Sequence, residues 1–220
     1  MNFLWWIVRK SKREIQIVLV TLAILIFLPA VSLVVLAASG TAIVSEALAA
    51  VNPVTHLVDI FDANGKKVNE IELSTVWPAR GYVSDEFGTL STERMDMGLG
   101  PHSGIDIANE RRETGTPITP FMAGKVSIVH TIDDNTCGIY VKVSHGNGIT
   151  SLYCHMLATD TFKDAEVKPG DVIGYMGSTG ASTGPHVHFQ IMVYDIPVNP
   201  RTFMVGTPTG TYQNVQQPTY

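Results

Sequence analysis

Polar and apolar positions divide the chain into two unlike parts. The first 14 residues end in a basic cluster, Arg9, Lys10, Lys12 and Arg13, beside Glu14. Residues 15–45 then contain no Asp, Glu, Lys, Arg or His, and Ile15 to Ala38 is almost wholly apolar. A helix of ~20 apolar residues spans the hydrocarbon core of a bilayer, so 15–38 predicts a single transmembrane helix. Pro29 is tolerated inside such a helix as a kink. The basic cluster precedes the run, and Lys and Arg are absent after it until Lys66. The positive-inside rule then places segment 1–14 in the cytoplasm and the rest of the chain outside. A cleaved signal peptide is the competing reading, because Ala47-Leu48-Ala49 has the A-x-A form. The apolar run exceeds a normal signal core, which favours a retained anchor, and both readings export the C-terminal domain.

Beyond the apolar run the pattern changes. Residues 39–53 are rich in Ala, Ser and Gly and read as a tether. Segment 54–76 reads as an accessory β-hairpin, with Leu57–Phe61 and Val68–Leu73 flanking the turn dipeptide Asn64-Gly65. From Trp77 the chain is a series of short β-rich runs, Val126–Val129, Ile139–Val143 and Ile149–Cys154, punctuated by Gly and Pro. Asn147-Gly148 joins the last two as a hairpin, and Lys168-Pro169-Gly170-Asp171 suits a type II turn. No segment beyond Val54 has helical periodicity over 11 residues or more. The expected fold is therefore all-β, an antiparallel domain over 77–206, with a Pro/Gln/Thr-rich tail at 207–220 expected to be disordered.

Composition and charge narrow the function classes. Apolar residues make up 45% and charged residues 16% of the 220. After Glu14 the chain carries 11 Lys and Arg against 19 Asp and Glu, a net charge of -8. An acidic body excludes a nucleic-acid partner, since phosphate binding needs a basic face. Cys137 and Cys154 lie near matching ends of one predicted hairpin. They form either a disulfide or two separate buried thiols, because pattern alone does not fix the register.

The candidate chemistry lies among seven histidines. His102-Ser103-Gly104-Ile105-Asp106 holds two metal-ligand types four apart. On a straight strand these face one side but lie ~13 Å apart, so convergence on one ion requires a bend, which Gly104 offers. His186-Val187-His188 puts two imidazoles ~6.6 Å apart on one strand face. His155 ends a strand. A catalytic zinc wants three protein ligands and an open position, with proton-moving groups nearby. His102, Asp106 and one of His186 and His188 supply the ligands; spacing does not say which of the two. His56, His130 and His145 read as surface or turn residues.

The stretch from about Trp77 to Pro200 resembles the lysostaphin-type (LytM-like) zinc metalloendopeptidases. The matching phrases include HSGIDIA (102–108), GIYVKVSHGNGITSLYCHM (138–156) and VKPGDVIGYMGSTGASTGPHVHFQI (167–191). The resemblance implies a β-sheet groove of the duplicated-hybrid-motif type. It further implies one Zn2+ held by His102, Asp106 and His188, with His155 and His186 as catalytic histidines. It implies hydrolysis, through a zinc-activated water, of peptide bonds in peptidoglycan, in either a stem cross-link or an interpeptide bridge. The expected partners are peptidoglycan peptides, the membrane through the N-terminal helix, and a secretion, conjugation or division complex of the envelope. Two other classes stand beside the enzyme: a non-catalytic activator of another wall hydrolase, and a structural subunit of an envelope-spanning complex. The intact ligand set argues against the first.

Overall fold

The computed structural model describes residues 16–17, 19–22, 40–74 and 76–208. Most of the expected spanning segment 15–38, and the tail beyond 208, lie outside the described residues. Among the described residues no helix is long and apolar enough to cross a membrane.

Among the described residues, fourteen strands run in succession from residue 49 to 198, and every named pairing between them is antiparallel. Helix is confined, among the described residues from 40 on, to 40–48, to Thr92–Asp96 and to a 3-10 turn at Pro200–Phe203. The all-β expectation therefore holds for the antiparallel sheets, to which the structure adds these short helical pieces.

The expected hairpin forms from β2 (Val58–Phe61) and β3 (Lys67–Ile71), with Gly65 at φ 75 in the turn. It does not stand alone. β1 (Ala49–Val51) pairs with β2, and residues 41–48 before it are helical. By composition these residues belong to the small-residue tether. Here they are ordered because Leu48 and Ala49 are buried in the same core as Phe203 and Met204. Ser45 Oγ also accepts the Asn199 backbone N–H at 2.7 Å.

The main sheet is built from β4 (Tyr82–Asp85), β5 (Ile105–Ala108), β7 (Gly124–His130), β8 (Tyr140–Gly146), β9 (Ile149–Cys154), β11 (Glu166–Val167) and β13 (Val187–Val193). Their order is β11-β7-β8-β9-β13-β5-β4, with β14 (Ile196–Val198) also on β13. A smaller sheet has the order β10-β12-β6, from Met156–Thr159, Gly174–Met176 and Pro117–Ile118. The two other turns expected from sequence are present as well. Asn147 and Gly148 both have positive φ, 49 and 76, as a type I′ hairpin requires. Gly170 has φ 100 in the turn closed by Asp171 N–H on Lys168 O.

Alternation along the central strands separates core from site. In β13, Val187, Phe189 and Ile191 are fully buried, while His188 and Gln190 point to the other face, where they line a groove. In β5, Ile105 and Ile107 are buried and Asp106 takes the groove face. In β9, Ile149, Ser151 and Tyr153 turn inward, and Leu152 and Cys154 line the groove. Phe121, Tyr153, Phe189 and Phe203 fill the centre of the core, with Phe189 stacked on Tyr153 at 5.3 Å.

Candidate metal centre and active site

Register brings distant residues together. His188 is paired with Asp106 on β5 and with Cys154 on β9, so all three share one level of the sheet and one face. His102 lies just before β5, where the chain bends through Ser103 and Gly104. Gly104 is required at this bend. A Cβ there would meet Phe189 O at 2.4 Å and His188 Cε1 at 2.9 Å. The bend lets His102 Nε2 reach Asp106 Oδ1 at 3.0 Å, a separation that a straight strand forbids.

His102, Asp106 and His188 each offer one ligand atom, and these atoms all lie within 4.8 Å of one another. His102 Nε2 is 2.9 Å from His188 Nδ1, and His188 Nδ1 is 3.0 Å from Asp106 Oδ1. The outer nitrogens decide the tautomers. His102 Nδ1 lies 3.0 Å from Glu86 O, which accepts only, so Nδ1 carries the proton there. His188 Nε2 lies 3.4 Å from Gln190 Oε1, which also accepts from Ser103 Oγ at 2.9 Å. With the protons outward, two nitrogen lone pairs and a carboxylate oxygen converge on one point. Three acceptors without a proton between them repel unless a cation lies among them. Zinc ligands ~2.1 Å from the metal stand about 3.4 Å apart in a tetrahedral arrangement, so a small outward shift fits the ion.

Burial by itself would raise the Asp106 carboxyl. The hydrogen bonding and positive charge it meets when His102 or His188 is protonated outweigh that and hold it well below the usual carboxylate range. Asp106 is thus an anion whether a proton or a metal occupies the space.

The two remaining site histidines are held the same way. His155 Nδ1–H donates to Thr179 O at 2.7 Å, and His186 Nδ1–H donates to Gly184 O at 2.7 Å. Each ring therefore keeps a free Nε2. His186 Nε2 is 3.6 Å from Asp106 Oδ2, and the His155 and His186 rings are 4.7 Å apart. Burial, then the nearby His186 and His188, pushes the His155 imidazole down to about 4, so it is neutral at pH 7. All five residues singled out in the sequence come into this one place. His188 sits within the metal-ligand group and His186 beside it, which spacing alone left open.

The sequence pattern does not reveal the residues behind the ligands. Gln190 comes two positions after His188 on the same strand face and orients its ring. Asp85 Oδ2 lies 3.2 Å from His102 Nδ1. Such outer partners fix ligand orientation. The i, i+2 spacing of His188 and Gln190 is a usable signal; nothing local marks Asp85. His145, expected at a surface or turn, is half-buried at the end of a hydrogen-bond chain that runs into the core. Its Nδ1–H donates to Ala123 O at 2.9 Å, so its Nε2 accepts from Ser151 Oγ at 2.7 Å. Ser151 Oγ also lies 2.8 Å from the Tyr153 hydroxyl oxygen, which accepts the Phe121 N–H at 3.1 Å. Cys137 and Cys154 form a disulfide beside His155.

The site lies in an open groove of about 640 Å³. A cation-seeking His, Asp, His set on an antiparallel sheet, flanked by two more imidazoles and open to solvent, is the arrangement of a metallohydrolase. Residues 100–200 match Peptidase family M23. The chain is 38% identical over 109 residues to the DD-carboxypeptidase/endopeptidase Mpg of Neisseria meningitidis serogroup B, covering 49% of this chain and 24% of that protein. It is 30% identical over 139 residues to the peptidoglycan DD-endopeptidase ShyA of Vibrio cholerae, covering 63% and 31%. The crystal structure of a zinc-containing peptidase from Vibrio cholerae superposes with a TM-score of 0.52 at 25% identity, covering 66% of this chain and 45% of that one. The chain thus spans about a quarter to a third of the length of these curated relatives.

Proposed function

We propose that the chain is a membrane-anchored zinc endopeptidase that cuts peptide bonds in peptidoglycan just outside the membrane. The observation that carries this reading is the convergence of three ligand-type atoms, on His102, Asp106 and His188, within 4.8 Å of one another in an open groove beside the imidazoles of His155 and His186. His102, Asp106 and His188 would hold the ion, and the chemistry of their donor set suits zinc. Zinc, when bound, lowers the pKa of a water toward ~7 and polarises a carbonyl.

The protein's own groups do the rest. The groove seats an extended peptide over His188, with its scissile carbonyl near the ligands. His155, neutral and tied back to Thr179 O, takes the proton of the attacking water at Nε2 and gives it to the leaving amine as the C–N bond breaks. His186, tied to Gly184 O, faces the same carbonyl and, when protonated at Nε2, donates to its developing negative charge. Arg94 and Arg112 line the groove, and guanidinium groups suit a peptide that carries free carboxylates.

The relatives' names support the substrate, since one is a peptidoglycan DD-endopeptidase. The apolar run 15–38 and its basic flank support an anchored chain with segment 1–14 in the cytoplasm and the catalytic domain outside. The Cys137–Cys154 disulfide fits an oxidising compartment. A secretion, conjugation or division complex is the natural setting for cutting confined to wall near the membrane. The test is mass analysis of fragments released from purified peptidoglycan by the full chain, with and without chelator. Zinc-dependent release of peptides cut at one amide bond is expected. Zinc binding without any released fragment would refute the enzymatic reading.

A further inference from the structure

His155 is held in an unusual way. Its φ of 61 lies in the left-handed region, which non-glycine residues seldom adopt and which persists only where neighbours enforce it. Its backbone N–H donates to Cys137 O at 2.9 Å, and the next N–H, of Met156, donates to Ile139 O at 2.9 Å. The residue before it, Cys154, is bonded to Cys137.

Thr179 closes the remaining side. Its Oγ1 accepts the Ile139 N–H at 3.0 Å and donates to Met156 O at 2.9 Å. Its carbonyl accepts Nδ1–H of His155 at 2.7 Å. One residue therefore touches Ile139, Met156 and the His155 ring. The loop carrying Thr179 is pressed against the loop carrying Cys137. A Cβ on Gly138 would lie 2.5 Å from Thr179 Oγ1, and one on Gly180 would lie 2.5 Å from Gly138 N. Gly180 N–H further donates to Asp133 Oδ1 at 2.7 Å.

We propose that Thr179 is a positioning residue for His155. Its hydroxyl locks the 178–180 loop to Ile139 and Met156, and its carbonyl thereby fixes the imidazole as the Nδ1–H tautomer with Nε2 toward the groove. Thr179 is not among the residues that line the groove, so its effect falls on proton transfer rather than on binding. The inference rests on the reading that His155 moves the proton.

The test uses the full chain loaded with zinc. Thr179→Val keeps the side-chain shape and the carbonyl but removes the hydroxyl; Thr179→Ser keeps the hydroxyl. For Thr179→Val, kcat on a cross-linked muropeptide should fall about 10- to 100-fold, as for other small misplacements of a catalytic group. KM and zinc content should stay close to wild type, and Thr179→Ser should recover most of the rate. Nitrogen-15 NMR of the histidines should show His155 as the Nδ1–H tautomer in wild type and as a mixture in Thr179→Val. Wild-type kcat in Thr179→Val, a loss that only tracks lost zinc or lost fold, or an Nε2–H tautomer in wild type would each overturn the proposal. If the wild type binds zinc but cuts nothing, the hydrolase reading fails, and the tautomer shift alone still decides the role of Thr179.

Discussion

His102 Nε2 and His188 Nδ1 stand 2.9 Å apart although 86 positions separate them in the chain. Each has its other ring nitrogen turned outward, His102 to Glu86 O and His188 to Gln190. With both rings neutral and their outer nitrogens protonated, the facing lone pairs repel each other unless a cation lies between them. Removing a ligand should therefore cost metal and activity together. His102→Ala is expected to abolish stoichiometric zinc binding, measured by metal analysis after dialysis, and to abolish peptidoglycan cleavage. Gln190→Ala, which removes only the outer partner, should weaken zinc affinity about 10- to 100-fold by competition with a chromogenic chelator.

Gly104 is a steric switch for the ligand set. An alanine Cβ would penetrate Phe189 O and the His188 ring, and neither backbone nor ring can yield without breaking the β5–β13 pairing. Gly104→Ala should lower stability by about 1–3 kcal/mol, the usual cost of overpacking, and reduce zinc occupancy as well. Thermal melts with and without added zinc would reveal both effects. A variant with wild-type melting and zinc content would show that the bend is not tight.

The half-buried His145 and its hydrogen-bond chain give a pH signature away from the metal-ligand group. Burial pushes the His145 imidazole down to about 4 from an ordinary 6.5, and its hydrogen bond to Ala123 O only partly offsets this. Between these values the unfolded chain binds a proton that the folded chain does not. Stability from this group is complete above pH 6.5, falls as the pH drops toward 4 and levels off below it. Denaturant melts of wild type from pH 7.5 to 4 should show this loss. In His145→Gln it should shrink, and a pH dependence unchanged by the substitution would remove His145 as the cause.

The disulfide closes a loop of 17 residues of sequence separation. Constraining a loop of this size in the unfolded chain stabilises the fold by about 3 kcal/mol. Reduction under native conditions should therefore lower the melting temperature by several degrees. Equal melting of oxidised and reduced protein would mean that the surrounding packing already holds both loops.

Arg94 offers a test of substrate charge. Its Nε donates to Gly100 O at 3.2 Å, which holds the guanidinium on the groove wall. Arg94→Gln should raise KM for stem peptides with free carboxylates by about tenfold, the value of one charge-assisted hydrogen bond. It should leave KM for amidated peptides unchanged; an equal rise for both would mean that Arg94 does not read charge.

Much of this protein is legible in one dimension. The β-rich runs bounded by Asn147-Gly148 and Lys168-Pro169-Gly170-Asp171 are strands joined by those turns, because turn geometry depends on neighbouring residues and on positive φ at glycine. The five site residues are visible because ligand chemistry restricts residue type. Which histidine of the 186/188 pair stands among the ligands is not legible from spacing, and neither is the packing of 41–51. The first depends on whether a residue lies inside β13, level with Asp106. The second depends on an apolar surface, around Phe203 and Met204, that the chain reaches some 150 residues later.

The local elements and the inventory of donors follow from side-chain chemistry and short-range sterics, and so are written along the chain. Which donors meet, which nitrogens keep their protons and which backbone is held in strain follow from how the strands pack. Those outcomes depend on strand register and on partners distant in sequence, such as Glu86 O for His102 and Thr179 O for His155, at 3.0 and 2.7 Å.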